Sequence, residues 1–194
     1  MKPIRIPAFL HEVFGQEQRM GIIGVILLFG GLMTGGLYFR FPEMADGIAL
    51  WRSILAFLLI FDICSGCIAN FTRATSDYYA RYPRKRIVFI AIHVHLVLVA
   101  LLLGTNVWQS LLVWAFTIAG AYSVNAVRGS HQLFVAGVLL SAGIGWIPML
   151  PDVEPYMVII GILFMLKVLL SFSVDHYGKA YGKLPNEAYF PYNE

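Results

Sequence analysis

The sequence predicts an all-α polytopic membrane protein of about six transmembrane helices, with both termini in the cytoplasm. Three observations predict it. Of 194 residues, 59% are apolar or aromatic and only 13% charged, with a mean hydropathy of +0.73; soluble domains carry roughly a quarter charged residues. The apolar residues fall into stretches of about 20, the helical length that crosses a hydrocarbon core of about 30 Å. Finally, the basic residues gather in alternate loops, which fixes orientation.

Residues 1–19 mix Lys2, Arg5, Glu12, Glu17 and Arg19 with prolines and lack an apolar core before a small-residue cleavage site. They read as a cytoplasmic or interfacial segment, not a removed signal. Ile4, Ile6, Phe9, Leu10, Val13 and Phe14 give it an apolar side. The first span, 20–39, contains Gly31-x-x-x-Gly35, flanked by Gly21, Gly24, Gly30 and Gly36. Small residues at that spacing let helix backbones approach closely in lipid, within the bundle or across a homodimer. The second span, 47–69, carries Asp62 and Cys64-Ser65-Gly66-Cys67.

The loop at 70–86 holds Arg73, Arg81, Arg84, Lys85 and Arg86, the largest basic cluster, and is therefore placed in the cytoplasm. Arg81, Arg84, Lys85 and Arg86 form a collar suited to anionic lipid head groups. The third span, 87–105, carries His93 and His95, and the fourth, 107–127, carries Asn125. Only Thr105-Asn106 separates these two, so they should be antiparallel neighbours. The fifth span is 131–150, with Ser141-x-x-x-Gly145. Pro148, Pro151 and Pro155 punctuate the junction to the sixth, 155–174, which carries Lys167. The tail, 175–194, is rich in tyrosine and proline and should be cytoplasmic, docked on the inner face or on a partner. Arg19, Arg128, Lys179 and Lys183 agree with that side, which suits a plasma or bacterial inner membrane. The net charge of +3 gives no basis for a nucleic-acid partner.

Ionisable groups within the spans carry the functional information, because each costs about 2.5–3.5 kcal/mol in hydrocarbon unless it is paired or wet. Counting along the helices puts Asp62, His93, His95 and Lys167 all about 9–13 Å from the cytoplasmic boundary. Asn70, Asn125, His131, Asp175 and His176 lie nearer that boundary, while the outer halves are nearly free of such groups. Asp62, Ser65, Gly66, Ala69, Asn70 and Arg73 follow helical spacing, as do Lys167, Ser171 and Asp175. Two facing polar stripes would make a cleft open to the cytoplasm.

This pattern predicts a small-solute or ion transport or binding protein with Asp62 as coupling carboxylate and Lys167 as counter-charge. His95 or His93 would titrate or ligate, and Asn70, Asn125 and Asp175 would line the approach. The alternative is a metal-dependent lipid hydrolase at the inner interface. For it, Asp62, His95, His131 and His176, or Cys64 and Cys67 with a histidine, would hold zinc or another transition metal. Haem between two histidines is a weaker variant. His93 and His95 lie about 200° apart on a continuous helix, so both could serve one centre only if the helix were broken. A third reading is a non-catalytic subunit that works through its glycine faces and tail.

Overall fold

In lipid every backbone amide must be bonded within the chain, which leaves helices as the form that long apolar segments take. The structure, a computed structural model, describes residues 3–127, 129 and 131–178. The expectations for Lys2, Arg128, Lys179, Lys183 and the tail beyond Gly178 lie outside the described residues.

Six helices are long and apolar enough to cross a membrane: Met20–Arg40, Leu50–Ala69, Pro83–Leu103, Val107–Ala126, His131–Met149 and Pro155–Phe172. In chain order the elements are β1 (Ile4–Arg5), α1 (His11–Phe14), β2 (Glu17–Gln18), α2 (Met20–Arg40), α3 (Leu50–Ala69), α4 (Arg73–Arg81) and α5 (Pro83–Ile92). α6 (His95–Leu103), α7 (Val107–Ala126), α8 (His131–Trp146) and α9 (Pro155–Met165) follow, the last running into a π-helical stretch at Leu166–Phe172. The third span is thus two helices, α5 and α6, on one path.

The ends of the spans sort cleanly. At one end Gln18 donates to Thr72 Oγ1, Arg86 to the Phe172 carbonyl and the Tyr177 hydroxyl to the Phe71 carbonyl. This end, which collects the N-terminal segment, residues 70–86 and residues 173–178, is the basic face. At the other end Asn106 donates to the Asp152 carbonyl, Gln109 to that of Pro151, and the Phe41 and Tyr156 rings meet. The 104–106 turn is tight because Gly104 and Asn106 both take left-handed φ, 72° and 47°.

The last span is the axis of the bundle, 61% buried against 17% for α2. Ile160, Phe164, Met165 and Leu169 fill the centre with Ile60, Ile63, Val99 and Ala121. Leu32, Phe39, Leu58, Trp108 and Phe134 point outward, as lipid-facing side chains must.

Two expectations need correction. Residues 70–86 are not an open loop: Thr72 caps α4 by accepting from the Thr75 N–H, and Pro83 starts α5 four residues before the apolar run does. Arg84, Lys85 and Arg86 therefore stand in the first turns of a helix, where hydropathy hid them. The N-terminal segment, expected to present one apolar side, does not gather those residues on a buried face either. It is a β1–β2 hairpin pairing Ile4 with Gln18 and Arg5 with Glu17, closed by a short helical turn. Only Ile6 of its apolar residues is buried, and Phe9 is 82% exposed.

Candidate functional site

Lys167 is 2% exposed, deep within the last span, on the first turn of the π-helical stretch. Wide π turns carry extra residues at functional positions more often than regular helix does. Its ammonium donates to Asp62 Oδ2 at 2.6 Å and to the Asp62 carbonyl at 3.2 Å. A charge-assisted bond of that length is at the strong end of the range. The side chain reaches α3 because position 66 is glycine: a β-carbon there would run into the Lys167 chain at its Cδ, Cε and Nζ atoms.

His95 Nδ1 stands 3.0 Å from the same Asp62 Oδ2. One carboxylate oxygen thus accepts from Lys167 and has the His95 ring beside it. Asp62 Oδ1 accepts nothing among the described residues, and the side chain is 44% exposed. The carboxylate is pinned on one side and open on the other.

His95 begins α6, and the break before it makes the site. α5 ends at Ile92; His93 (φ −76°, ψ 73°) and Val94 (φ −97°, ψ 8°) leave helical geometry, and α6 restarts one residue later. A carbonyl freed in the middle of a span needs a partner. Trp114 of α7 supplies it, donating Nε1–H to the His93 carbonyl at 2.9 Å. A new helix N-terminus directed at an anion is favourable, and α6 provides one beside Asp62.

The break overturns the expectation that His93 and His95 diverge by half a turn. Their ring centroids are 5.0 Å apart. His93 is 3% exposed and packs its ring 3.8 Å, centroid to centroid, from Phe89. Its Nδ1 donates to the Phe89 carbonyl at 2.6 Å, so Nε2 carries a lone pair, and that buried atom has no partner.

The structure therefore brings together Asp62, Lys167 and His95, with His93 alongside. It does not gather the others. Asn70 ends α3, buried, with its amide nitrogen unpaired. Asn125 lies in the last turn of α7. The Asp175 backbone N–H donates to Gln132 Oε1, and His176 donates to the Ser171 carbonyl while its ring meets Phe71. His131 opens α8. Each sits near the basic face, away from the cluster. Consistent with that, no group of three or more His, Cys, Asp or Glu side chains among the described residues is placed to hold a metal ion. The set Asp62, His95, His131 and His176 is not assembled. Cys64 and Cys67 are free, fully buried thiols, and Cys67 donates to the Leu163 carbonyl at 3.0 Å. Cys67 serves as a small residue in the α3–α9 contact, and Cys64 packs in the buried core.

Sequence reasoning missed Trp114, Gly66 as the bed for Lys167, and Gln132, which is buried and ties Val124 and Asp175 together. An indole N–H in mid-span needs an acceptor, and that was the available signal for Trp114. Comparison of the chain with protein-family models, with curated proteins and with solved structures found no match.

Proposed function

We propose that the protein, in a plasma or inner membrane with both termini cytoplasmic, moves a small solute or ion by binding and releasing a proton at Asp62. The observation that carries this reading is the Asp62 carboxylate, bonded on one oxygen to Lys167 with His95 3.0 Å away and open on the other, beside a broken transmembrane helix. Discontinuous spans with ionisable residues at membrane depth are where transporters place their binding sites.

The chemistry follows from the charges. While Asp62 is ionised it neutralises Lys167 and the site is closed. A proton arriving at Oδ1 weakens the bond from Nζ and leaves the buried ammonium without its counter-ion. That state attracts a small anion, and loss of the proton expels it. The His95 ring stands beside the same oxygen, and His93 Nε2 offers a neighbouring acceptor.

The test is proton uptake into reconstituted vesicles after an inward pH step, with chloride, nitrate or formate as the anion and a trapped pH dye as probe. Wild type should acidify the lumen faster than protein-free vesicles with at least one anion, and Asp62→Asn should not. Equal uptake by wild type and Asp62→Asn contradicts the proposal, as does no uptake above protein-free vesicles with any of the three.

A second reading, a subunit of a membrane complex, is favoured by α2. It is the least buried span, and Gly31, Gly35 and Gly36 face open space where a helix from a partner or a second copy would fit. A partner that copurifies in fixed ratio, and is lost on Gly35→Leu, would support it.

A further inference from the structure

At the basic face the N-terminal hairpin folds over α4 and leaves a cleft of about 920 Å³ between them. The cleft is built, not incidental. Thr75 donates to the Val13 carbonyl at 3.0 Å, Tyr79 to that of Glu12 at 3.2 Å and Arg81 to Gln16 Oε1 at 3.1 Å. Gly15, at φ 74°, lies so close to Ala74 that a β-carbon would collide with its backbone.

The walls carry Arg5, Arg19, Arg73 and Arg81 against Glu17 and Asp77. Positive charge is in excess. Arg73 reaches Asp77 only at 3.8 Å with most of its side chain exposed, and Arg5 and Arg19 make no ion pair among the described residues. Arg19 immediately precedes α2, so the cleft sits at head-group depth.

A second cavity of about 360 Å³ shares Arg19 and Ile22 with the first and runs on past Gly21 and Val25 to Ile68 of α3. It is apolar and points along α2 into the hydrocarbon. Cationic space at the interface that continues as an apolar groove into the membrane has the shape and charge of a phospholipid. A soluble phosphate would have no use for the groove.

We propose that this composite pocket binds an anionic phospholipid, with its phosphate in the arginine-lined cleft and an acyl chain in the α2–α3 groove. It is a defined site, distinct from the exposed Arg84 beside it, while Lys85 is paired with Glu12 at 3.0 Å. The bound lipid would brace the hairpin on α4 at the edge of the bundle.

Native mass spectrometry of the full chain in non-ionic detergent tests this, with phosphatidylglycerol, phosphatidylcholine and inorganic phosphate as probes. Wild type should retain phosphatidylglycerol over phosphatidylcholine by about tenfold, as two or more arginines near a phosphate would give. R19Q with R73Q should abolish that preference, while R84Q, at an exposed arginine outside the cleft, should keep it. V25W, which fills the groove and leaves the arginines in place, should weaken phosphatidylglycerol retention as well. That variant keeps the test valid if the arginine pair disturbs folding. Equal retention of the two lipids by wild type overturns the proposal. So does an equal loss in R84Q, which would mean diffuse surface charge. Displacement of the lipid by equimolar inorganic phosphate, or V25W without effect, would make the site one for a free anion.

Discussion

Asp62 and Lys167 are partners of unequal burial, and their substitutions should differ accordingly. Asp62→Asn leaves the buried Lys167 ammonium without its counter-charge. Breaking a buried pair from that side costs on the order of 3 kcal/mol. Lys167→Met leaves a carboxylate that is 44% exposed and still faces His95, so the loss is smaller, because solvent or head groups screen it. Removing both charges together, Asp62→Asn with Lys167→Met, should restore most of the stability and none of the proton uptake. Unfolding in a denaturing detergent, set beside the vesicle assay, separates the two effects. Gly66→Val should act like Lys167→Met, since the new side chain occupies the path of the lysine. The charged residues themselves were legible in the sequence, because an ionisable group in an apolar run is conspicuous and helix geometry gives its depth. Which of them meet was not. Asp175 follows Lys167 at helical spacing yet bonds to Gln132, because the wide turns at Leu166–Phe172 change the register that the spacing assumes.

At the scale of elements, the break between α5 and α6 is the decisive feature. Trp114→Phe keeps the ring and removes the N–H that satisfies the His93 carbonyl. An orphaned carbonyl in the bundle costs about 1–3 kcal/mol, and closing the break would turn His95 away from Asp62. We expect reduced stability and reduced proton uptake, while Trp108→Phe, on the lipid-facing surface, should change neither. The sequence gives no warning of the break: neither proline nor glycine interrupts residues 87–103, and the partner that stabilises it comes from another helix. At the basic face, burial holds the His176 imidazole below its ordinary value, and the charge of Arg86 adds to this while Asp175 opposes it. A depressed histidine is neutral in both folded and unfolded chains above about pH 6.5 and takes a proton first when unfolded below it. The contact of residues 171–178 with Phe71 should therefore loosen as pH falls below that value. Amide protection factors in this segment, corrected for the intrinsic pH dependence of exchange, should fall on acidification, and His176→Phe should remove that fall.

For the molecule as a whole, hydropathy located every span to within four residues at each end, because lipid imposes length and composition directly. The gathering of loop residues into two opposed faces agrees with that alternation. Orientation is a property of the chain in its membrane, and cysteine labelling reads it. With Cys64 and Cys67 replaced by Ala, a cysteine at Ser76 should react with an impermeant maleimide only after right-side-out vesicles are opened, and one at Val153 should react at once. The reverse pattern would invert the protein. The amphipathic α4 and the hairpin were not legible, since their side chains are polar enough to pass for loop and their order comes from contacts with each other. Everything proposed for the bundle turns on Asp62 being an ionised, exchangeable carboxylate between Lys167 and His95. Infrared difference spectra of wild type against Asp62→Asn test this most directly. At neutral pH the difference should contain carboxylate stretches and no protonated carbonyl band, and on acidification a carbonyl band should grow in wild type alone. A protonated band already present at neutral pH, or no band that depends on Asp62 at any pH, would contradict the account.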